Sequence, residues 1–180
     1  MRVLLISDTH GALDPRVLAQ ARECDLVVHA GDIGAAGVLD QLAAAAPRVV
    51  AIRGNNDVAA KWPRTDAARL ESLPVFADIA LPGGLLVAVH GDRLPAPTRH
   101  SRLRRLHPHA RAVVCGHSHR LAIDCSGQPW VLNPGAAGRV RTFGGPSALW
   151  LDADAGRWAV TAWRADGPQG GPVPRRGAGA

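Results

Sequence analysis

Apolar and polar positions follow one another along the chain in a pattern that predicts strands ending in polar turns. Five short runs rich in Val, Leu and Ile each stop at a segment of Gly, Asp, Asn or His. The runs cover residues 2–6, 26–29, 49–53, 85–89 and 112–115. Short apolar runs bounded by glycine are typical of buried strands. We therefore expect buried strands whose carboxyl ends carry polar side chains.

Helical patterns separate the strands in the first half of the chain. Asp14 followed by Pro15 has the form of an N-cap and a first helical residue, and predicts a helix over 16–23. An Ala/Leu-rich stretch predicts a second helix over 36–46, which Pro47 ends. A third, weaker pattern covers 63–72. Strands alternating with helices predict right-handed crossovers and a mostly parallel sheet.

The second half of the chain instead shows the pattern of hairpins. Strand-like runs are paired across Gly-containing turns at 75–81 with 85–89, at 121–125 with 129–132, and at 147–152 with 157–164. A chain that begins with βαβα and ends in hairpins predicts an α/β fold of two facing sheets with helices outside. We expect one domain over residues 1–164, and a disordered tail over 165–180 because that segment is rich in Gly, Pro and Arg without periodicity.

The polar segments after the five runs contain side chains that bind metal ions. Asp8 and His10 are alternate residues just past a strand, so in an extended chain both side chains point to the same side. His117 and His119 repeat this spacing. Ligands of open sheets bind beyond the carboxyl ends of the strands. We therefore predict a metal site built from seven residues, namely Asp8, His10, Asp32, Asn55, His90, His117 and His119.

The chemistry of these side chains indicates transition-metal ions. Carboxylate, amide and imidazole groups without thiolate suit Mn, Fe, Zn, Co or Ni more than Ca. Seven ligands exceed what one tetrahedral zinc ion takes from a protein. They suffice for two ions that share a carboxylate. Two ions about 3.5–4 Å apart are the usual arrangement for in-line attack at phosphorus.

Each motif also has an ordinary structural interpretation when it is taken alone. An isolated D-x-H, Gly-Asp or Gly-Asn is more often an incidental turn than a metal site. His29 lies inside an apolar run, so we expect it in the core or behind the ligands rather than among them. His100, His107 and His109 lack a strand-end context and are expected at the surface. Asn133-Pro134-Gly135 is either a turn or a loop that closes the site.

Composition limits the class of protein. A chain of 180 residues with 47% hydrophobic residues can bury one substantial core. Its apolar runs are much shorter than the roughly 20 residues of a membrane span, so no membrane partner is expected. Cys24, Cys115 and Cys125 lie in or beside apolar runs, which predicts reduced, buried thiols. The chain starts directly with a strand and shows no signal peptide, and we expect a cytoplasmic location.

The net charge of +6 comes almost entirely from arginine. The densest cluster lies between Arg99 and Arg111. A solvated helix face is the first interpretation of such a run, and a positive rim that attracts anionic phosphate substrates is the alternative. A nucleic-acid platform is disfavoured because the segment has no aromatic residue for base stacking. Nucleic acid is therefore not an expected partner, except as a nucleotide-like substrate.

Taken in order, the motifs D-x-H, G-D, G-N-x-D, H-G and G-H-x-H resemble those of the calcineurin-like metallophosphoesterase superfamily. The resemblance covers Met1 to about Arg164. The G-N-N-D form and the Asn133-Pro134-Gly135 turn resemble its small single-domain branch of bacterial and archaeal phosphodiesterases. That branch implies a four-layer α/β/β/α sandwich of two mixed sheets. The motifs imply two divalent ions with Asp32 as the bridge; Asp8, His10 and His119 would hold one, and Asn55, His90 and His117 the other.

One position departs from the wider superfamily pattern. Many members have a histidine after the ligand asparagine, which serves as general acid, and here that residue is Asn56. An amide cannot deliver a proton, and general acid catalysis contributes about 10²–10⁴-fold to rate. Asp57 then lacks the imidazole that it would orient. The resemblance nevertheless places Asn55, Asn56, Asp57 and His90 around the reacting phosphorus, as the catalytic residues.

The sequence therefore predicts a two-metal phosphodiesterase in which a water bridging the ions, most simply Mn²⁺, attacks phosphorus in line. The ions and Asn55 would stabilise charge on the non-bridging oxygens. The predicted partner is a small phosphoester substrate, and a homodimer stays open. Two alternatives remain: a protein-binding scaffold of the same fold, like a eukaryotic retromer subunit, and a phosphomonoesterase or cyclic nucleotide phosphodiesterase using the same centre.

Overall fold

The computed structural model of the protein describes residues 1–167 and 172–173. Its elements form two mixed sheets that face each other. The first sheet has six strands, in the spatial order β11 (Pro172–Val173), β10 (Trp158–Arg164), β9 (Ser147–Ala153), β1 (Arg2–Ile6), β2 (Leu26–His29) and β3 (Val49–Ala51). The second has five, in the order β4 (Phe76–Leu81), β5 (Gly84–Val89), β6 (Ala112–Val114), β8 (Trp130–Asn133) and β7 (Ala122–Asp124).

Helices cover the outer faces of both sheets. They are α1 (Pro15–Ala21), α2 (Ala36–Ala45), α3 (Ala67–Ser72) and α4 (Arg99–Leu106), with 3₁₀ turns at Arg64–Asp66 and Ala96–Thr98. The predicted cap of α1 is present, because the Asp14 carboxylate accepts a hydrogen bond from the Arg16 backbone N–H. None of the helices formed by the described residues has the length and apolar character to cross a membrane.

Three apolar clusters hold the layers together. The central one lies between the sheets, where Leu5 and Val28 meet Leu86 and Val114. A second joins the outer face of the first sheet to α1, α2 and α3, and a third joins the outer face of the second sheet to α4 through Leu103. The predicted α/β/β/α architecture is therefore confirmed. Strands with apolar side chains on both faces are what such a sandwich requires.

The parallel strands place their carboxyl ends together. In the first sheet, β1, β2 and β3 are mutually parallel, β9 pairs antiparallel with β1, and β10 pairs antiparallel with β9. In the second, β5, β6 and β8 are parallel, whereas β4 and β7 form the predicted hairpins. Of these six carboxyl ends, three from each sheet, five carry the turns that the sequence marked as polar, and the sixth, that of β8, leads into Asn133-Pro134-Gly135.

Several predicted boundaries and positions differ in the structure. The run 49–53 is a strand only over Val49–Ala51, because the Arg53 N–H turns to the Pro74 carbonyl instead. Cys125 is exposed, whereas Cys24 and Cys115 are buried as predicted; it follows β7, an edge strand that ends at the surface. Most of the predicted tail, 165–180, lies outside the described residues, and the backbone of 172–173 pairs with β10.

The basic segment has more structural contacts than a solvated helix face would. Arg99 is buried and donates to the carbonyls of Gly91 and Leu94. Arg104 pairs with Asp124 at 2.7 Å, and Arg111 donates to the Gly83 carbonyl of the β4–β5 turn. The expectation of a solvated face was therefore wrong for the buried Arg99, while Arg104 and Arg111 are bound by a carboxylate and a loop carbonyl. The alternative of a positive rim that attracts phosphate stays a prediction.

His29 is the buried histidine that the sequence placed in the core. It has no exposed surface, its Nε2 lies 2.9 Å from Thr9 Oγ1, and its Nδ1 accepts from the Gly31 N–H at 3.2 Å. The Thr9 hydroxyl donates to the Ile33 carbonyl, so the Nε2–H of His29 must donate to Thr9. Burial lowers the pKa of His29 to about 4. The ring is thus neutral and braces two polar turns.

This burial predicts a pH-dependent stability. An unfolded histidine has a pKa of about 6.5, so the unfolded chain takes up the proton before the folded protein does. The free energy of unfolding should then fall by about 3 kcal/mol through His29 as pH decreases from 7 to 4. Denaturant titrations should show a flatter pH dependence for His29→Gln than for wild type. The exposed His109→Gln should keep the wild-type slope, and parallel slopes for wild type and His29→Gln would contradict this assignment.

Candidate metal centre

The turns after the parallel strands meet where the two sheets are closest. Two hydrogen bonds link the sheets directly, from His90 Nδ1 to the Ala30 carbonyl at 2.8 Å and from the His117 N–H to Asp8 Oδ2 at 3.1 Å. A Cβ at Gly31 would lie 2.8 Å from His90 Nδ1 and from the Gly54 nitrogen. Only glycine permits this approach of three turns.

Asp32 occupies the middle of the junction. Its carboxylate is 1% exposed, and Oδ2 lies 3.3 Å from His90 Nε2 and 3.9 Å from His10 Nε2. The backbone N–H of Asn56 donates to Oδ1 at 2.8 Å, and the Asn56 side-chain amide donates to Oδ2 at 2.6 Å. One carboxylate therefore faces imidazoles from two different turns, as a bridging ligand must.

Asp8 stands at the same junction beside two further histidines. His119 Nε2 lies 3.4 Å from Asp8 Oδ1, and the Nε2 atoms of His10 and His119 are 3.2 Å apart with stacked rings. Asp8, His10 and His119 form one group whose ligand atoms all lie within 4.8 Å of one another, and Asp8, Asp32 and His90 form another. Asp8 belongs to both groups, a sharing that the family motifs implied only for Asp32.

The two remaining predicted ligands are adjacent to each other. His117 Nδ1 lies 3.0 Å from Asn55 Oδ1, and the rings of His117 and His90 meet edge to face at 5.4 Å between centroids. The structure therefore brings all seven predicted side chains to one junction. His29 lies behind it, and the exposed His109 is remote from it in the fold.

The backbone at these residues differs from the extended chain that the sequence argument assumed. Among the described residues, six non-glycine positions have positive φ, and five of them are predicted ligands: Asp8, His10, Asp32, His117 and His119. Their φ angles lie between 47° and 68°. The expectation that alternate residues of an extended strand point together was wrong, because each of these five residues has a left-handed φ. Such conformations cost about 1–3 kcal/mol each and cluster at functional sites.

Burial and charge shift the protonation of these groups strongly. Burial raises the pKa of Asp8 to about 7, although His90 and Ser7 act in the opposite direction. Burial alone would lower the pKa of His90, but the carboxylates of Asp32 and Asp8 outweigh it and raise the pKa to about 9. Burial lowers the pKa of His119 to about 4, with Arg141 acting in the same direction. The junction therefore has two carboxylates and a strong preference for a nearby cation.

The donor atoms fit divalent metal ions. His90 uses Nδ1 on the Ala30 carbonyl, which leaves Nε2 as its free lone pair. That Nε2 is buried, points to Asp32 and is not aligned for a hydrogen bond with any described residue. Buried polar atoms are almost always paired. An unpaired imidazole nitrogen beside two buried carboxylates is what a metal-binding site contains.

Supporting residues fix the turns behind the ligands. Asn133 donates from Nδ2 to the Gly116 carbonyl at 2.8 Å and accepts from the Gly135 N–H at 2.9 Å. The Ser7 hydroxyl contacts Asp8 Oδ2 at 2.8 Å and the Gly135 carbonyl at 2.7 Å. The Asn133-Pro134-Gly135 segment therefore does more than turn the chain, because it braces the turns that carry Asp8 and His117.

Asp57, which was predicted to be a catalytic residue, instead stabilises the backbone turns around it. Its carboxylate is buried and accepts from the backbone N–H groups of Ile33, Gly34 and Gly54 and from the Trp62 indole at 2.8–3.1 Å. These four donors leave it no free side toward the ligands. Asp57 therefore holds the turns of Asp32 and Asn55 in place, and we correct its assignment as a catalytic residue to that of a positioning residue.

Three cationic residues near the centre were missed by the sequence analysis. Lys61 donates from Nζ to the Asn56 side-chain oxygen. Arg141 donates from Nη2 to His10 Nε2 at 3.1 Å, and Arg53 lies just before the Asn55 turn. Lys61 is the single lysine of the chain, and this rarity could have identified it as a candidate site residue. No feature of the sequence identifies Arg141, because it follows no strand and no motif.

The profile of the calcineurin-like phosphoesterase superfamily domain matches residues 1–156. The chain belongs to this superfamily. A probable metallophosphoesterase of Methanothermobacter thermautotrophicus is 30% identical over 162 residues, which cover 86% of this chain and 87% of that protein. The superfamily assignment made from the five motifs is thus confirmed.

Solved structures show the same fold at lower identity. Vps29 of Entamoeba histolytica complexed with zinc superposes with a TM-score of 0.75 at 19% identity, covering 93% of this chain and 95% of that one. A novel archaeal phosphodiesterase superposes with a TM-score of 0.66 at 20% identity, covering 90% and 99%. At such identities the likeness establishes the metallophosphoesterase architecture and leaves the substrate open.

The closeness of the turns predicts how a single methyl group would affect metal binding. A Cβ at Gly54 would lie 2.8 Å from Asp32 Cγ and nearer still to its oxygen and backbone nitrogen. Gly54→Ala should therefore displace Asp32 and weaken Mn²⁺ binding at least about tenfold by calorimetry. At Gly37, on the exposed side of α2, a Cβ meets nothing within 4 Å. Gly37→Ala should keep wild-type affinity, and equal affinity for Gly54→Ala would contradict the bridging position of Asp32.

Proposed function

We propose that this metallophosphoesterase is a phosphodiesterase that uses two divalent cations, most simply Mn²⁺, and no histidine general acid. The observation that carries the proposal is the position of Asp32. Oδ2 of its buried carboxylate lies close to both His10 Nε2 and His90 Nε2. When bound, two cations there supply Lewis-acid activation of a water and neutralise charge on a phosphoryl group.

The chain's own groups would bind and orient the substrate around that pair. Asn55 and His117 lie on the solvent side of the junction, with Asn55 exposed, so the Asn55 amide can donate to a non-bridging phosphoryl oxygen. His90 is fixed through Nδ1 and cannot rotate to serve as a proton shuttle. Its expected contribution to catalysis is therefore as a ligand, through Nε2.

Asn56 supports a reaction without proton delivery from an imidazole. Its amide nitrogen is already used on Asp32, and its oxygen accepts from Lys61. Asn56 thus orients the bridging carboxylate, and the Lys61 ammonium brings a positive charge to the position next to it. Leaving groups that depart as weakly basic alkoxides or aryloxides suit such a site, since the missing proton donor would otherwise cost about 10²–10⁴-fold in rate.

The choice of a diester over a monoester has weaker support. The archaeal neighbour described as a phosphodiesterase shares the fold, and the G-N-N-D form is typical of that small branch. A phosphomonoesterase or a cyclic nucleotide phosphodiesterase would use the same ligands. Rates on a matched panel of aryl diesters, aryl monoesters and cyclic nucleotides with Mn²⁺ separate these activities directly.

A protein-binding scaffold is the second candidate function. Val75 and Phe76, at the start of the edge strand β4, are each 54% exposed, and exposed apolar side chains at a sheet edge are typical of interaction surfaces. Structural likeness to Vps29 covers nearly the whole chain. The full set of seven ligand side chains favours the enzyme.

A cytoplasmic location and a homodimer are further predictions of the enzyme proposal. The two buried thiols, Cys24 and Cys115, suit a reducing compartment.

Removing the bridging carboxylate tests the proposed activity. Asp32→Ala should lower Mn²⁺-dependent hydrolysis of bis(4-nitrophenyl) phosphate by at least about 10³-fold, because ions held by a shared carboxylate lose their common ligand. Asp40→Ala, on the exposed face of α2, should leave the rate unchanged. Both proteins should show the same circular dichroism. Equal rates for Asp32→Ala and wild type would rule out the two-metal proposal.

Restoring an imidazole tests the role of Asn56. Asn56→His should raise the ratio of alkyl diester to aryl diester hydrolysis by about 10²-fold, since proton delivery matters most for basic leaving groups. The absolute rate can fall, because the amide bond to Asp32 is lost. Asn56→Ala, which loses that bond without gaining an imidazole, serves as the matched control. An unchanged dependence on leaving-group pKa in Asn56→His, with Mn²⁺ still bound, would contradict this role.

A further inference from the structure

A cleft of about 560 Å³ opens beside the metal centre. It lies between the turn after β3, the turn after β5 and the end of α4. Asn55 and His90 belong both to its lining and to the predicted ligands. A substrate whose phosphoryl group sits at the ligands therefore has one esterified group directly at the mouth of this cleft.

The wall of the cleft is aliphatic. Its apolar lining residues are Val58, Val75, Val89, Leu94, Leu103 and Leu106. Leu106 is 60% exposed and Val75 is 54% exposed, whereas Leu103 is buried at the base. Among the described residues that line the cleft there is no Phe, Tyr or Trp. The wall suits a compact apolar group.

The cleft also contains a positive charge without a counter-ion. Arg53 lines it and forms no salt bridge with any residue in the described part of the chain. The Nε atom of Arg53 is buried and has no acceptor there. Leaving such a donor unpaired costs about 1–3 kcal/mol. Asp57 is the nearest buried carboxylate in the lining, but its oxygens accept from three backbone N–H groups and the Trp62 indole.

None of the other charges at the cleft pairs with Arg53. Arg93 and Asp92 lie next to each other in the turn after β5 and contribute opposite charges. His107 closes the far end, where burial lowers its pKa. Asp57 balances Arg53 in formal charge, but its oxygens are bound to their own donors, so the Arg53 guanidinium lacks an acceptor among the described residues. An anion is therefore the complementary ligand at this point.

We propose that the cleft binds one esterified group of the substrate, and that this group has a compact apolar body and a second anionic substituent that pairs with Arg53. Arg53 is then the residue that determines specificity, and the aliphatic wall provides affinity. The inference rests on the proposed phosphoesterase function, because it takes the phosphoryl group to lie at the ligands. It adds the class of substrate: phosphodiesters of carboxylated or phosphorylated apolar alcohols.

Binding of three phosphonates to the Mn²⁺-loaded protein tests the proposal without turnover. Methylphosphonate carries only a methyl group on phosphorus, phenylphosphonate carries an apolar ring instead, and 3-carboxyphenylphosphonate adds a carboxylate to that ring. Calorimetry on the wild type should give affinities that rise about tenfold at each step, from apolar burial and then from charge pairing. Equal affinities for all three ligands would overturn the proposal.

Variants separate the two contributions. Arg53→Gln should abolish the preference for the carboxylated ring over the plain ring, Arg53→Lys should keep part of it, and Leu106→Ser should reduce the preference for phenyl over methyl about threefold. Arg102→Gln, an exposed arginine of α4 outside the cleft, should keep both preferences. If Arg53→Gln weakens all three ligands by one factor, Arg53 contacts the phosphoryl group and the proposal is wrong.

Hydrolysis assays on the same protein distinguish failure of this inference from failure of the proposed function. Hydrolysis of bis(4-nitrophenyl) phosphate together with equal phosphonate affinities would retain the phosphodiesterase and overturn the cleft assignment. Graded phosphonate affinities without hydrolysis of any phosphoester would support the cleft as a binding site and overturn the activity. Absence of binding of every phosphonate to the Mn²⁺-loaded protein, together with absence of phosphoester hydrolysis, would overturn both.

Discussion

The rest of the structure depends on two carboxylates held out of water where two sheets meet. Asp8 has no exposed surface and Asp32 has 1%. Burying an ionised carboxylate is costly unless donors or cations surround it. Here backbone N–H groups of Asn56 and His117 supply part of the compensation. The histidines supply the rest only when they carry a proton, and burial opposes that for all four, being outweighed by the carboxylates only at His90. The pair of divalent cations that we propose would resolve this conflict, because they would stabilise both carboxylates while the histidines stay neutral.

The same requirement explains the unusual backbone of the junction. Carboxyl ends of parallel strands point in one common direction, so chains that continued straight from the strands of the two sheets would not turn toward each other. The left-handed φ of Asp8 and Asp32 turns each chain back toward the opposite sheet. Hydrogen bonds from one turn to the next, such as the Asp8 N–H to the Gly31 carbonyl at 3.0 Å, hold these conformations. Hydrogen bonds of His29 and Asp57 also hold these turns, from the side away from the predicted ligands. The strain is thus distributed among buried supports rather than stored at one residue.

The sequence was informative where the constraint is local and uninformative where it is tertiary. Strand ends, hairpins and the seven ligand side chains follow from short-range patterns, since each ligand must directly follow a buried strand. The conformation of the turns could not be predicted, because an extended and a left-handed Asp-x-His have the same letters. Arg99 was assigned to a charged surface because its charge is visible in the sequence, whereas its acceptors, the carbonyls of Gly91 and Leu94, are backbone atoms. Arg53 was passed over because an unpaired charge can be recognised only from its neighbours.

The presence of Asn56 in place of a histidine proton donor and the cleft beside the metal centre are functionally related. In a centre with a histidine donor, the enzyme promotes departure of the leaving group by protonation, and the group's own chemistry matters less. Here the residue in that position binds Asp32 instead, so in the proposed reaction bond breaking would rely on the cations and on the acidity of the departing alcohol. Selectivity must then come from binding rather than from proton transfer. A cleft with an aliphatic wall and the unpaired charge of Arg53 provides such binding within reach of the ligands. An anionic substituent on the substrate also places its charge where the cleft can offset it, away from the two buried carboxylates.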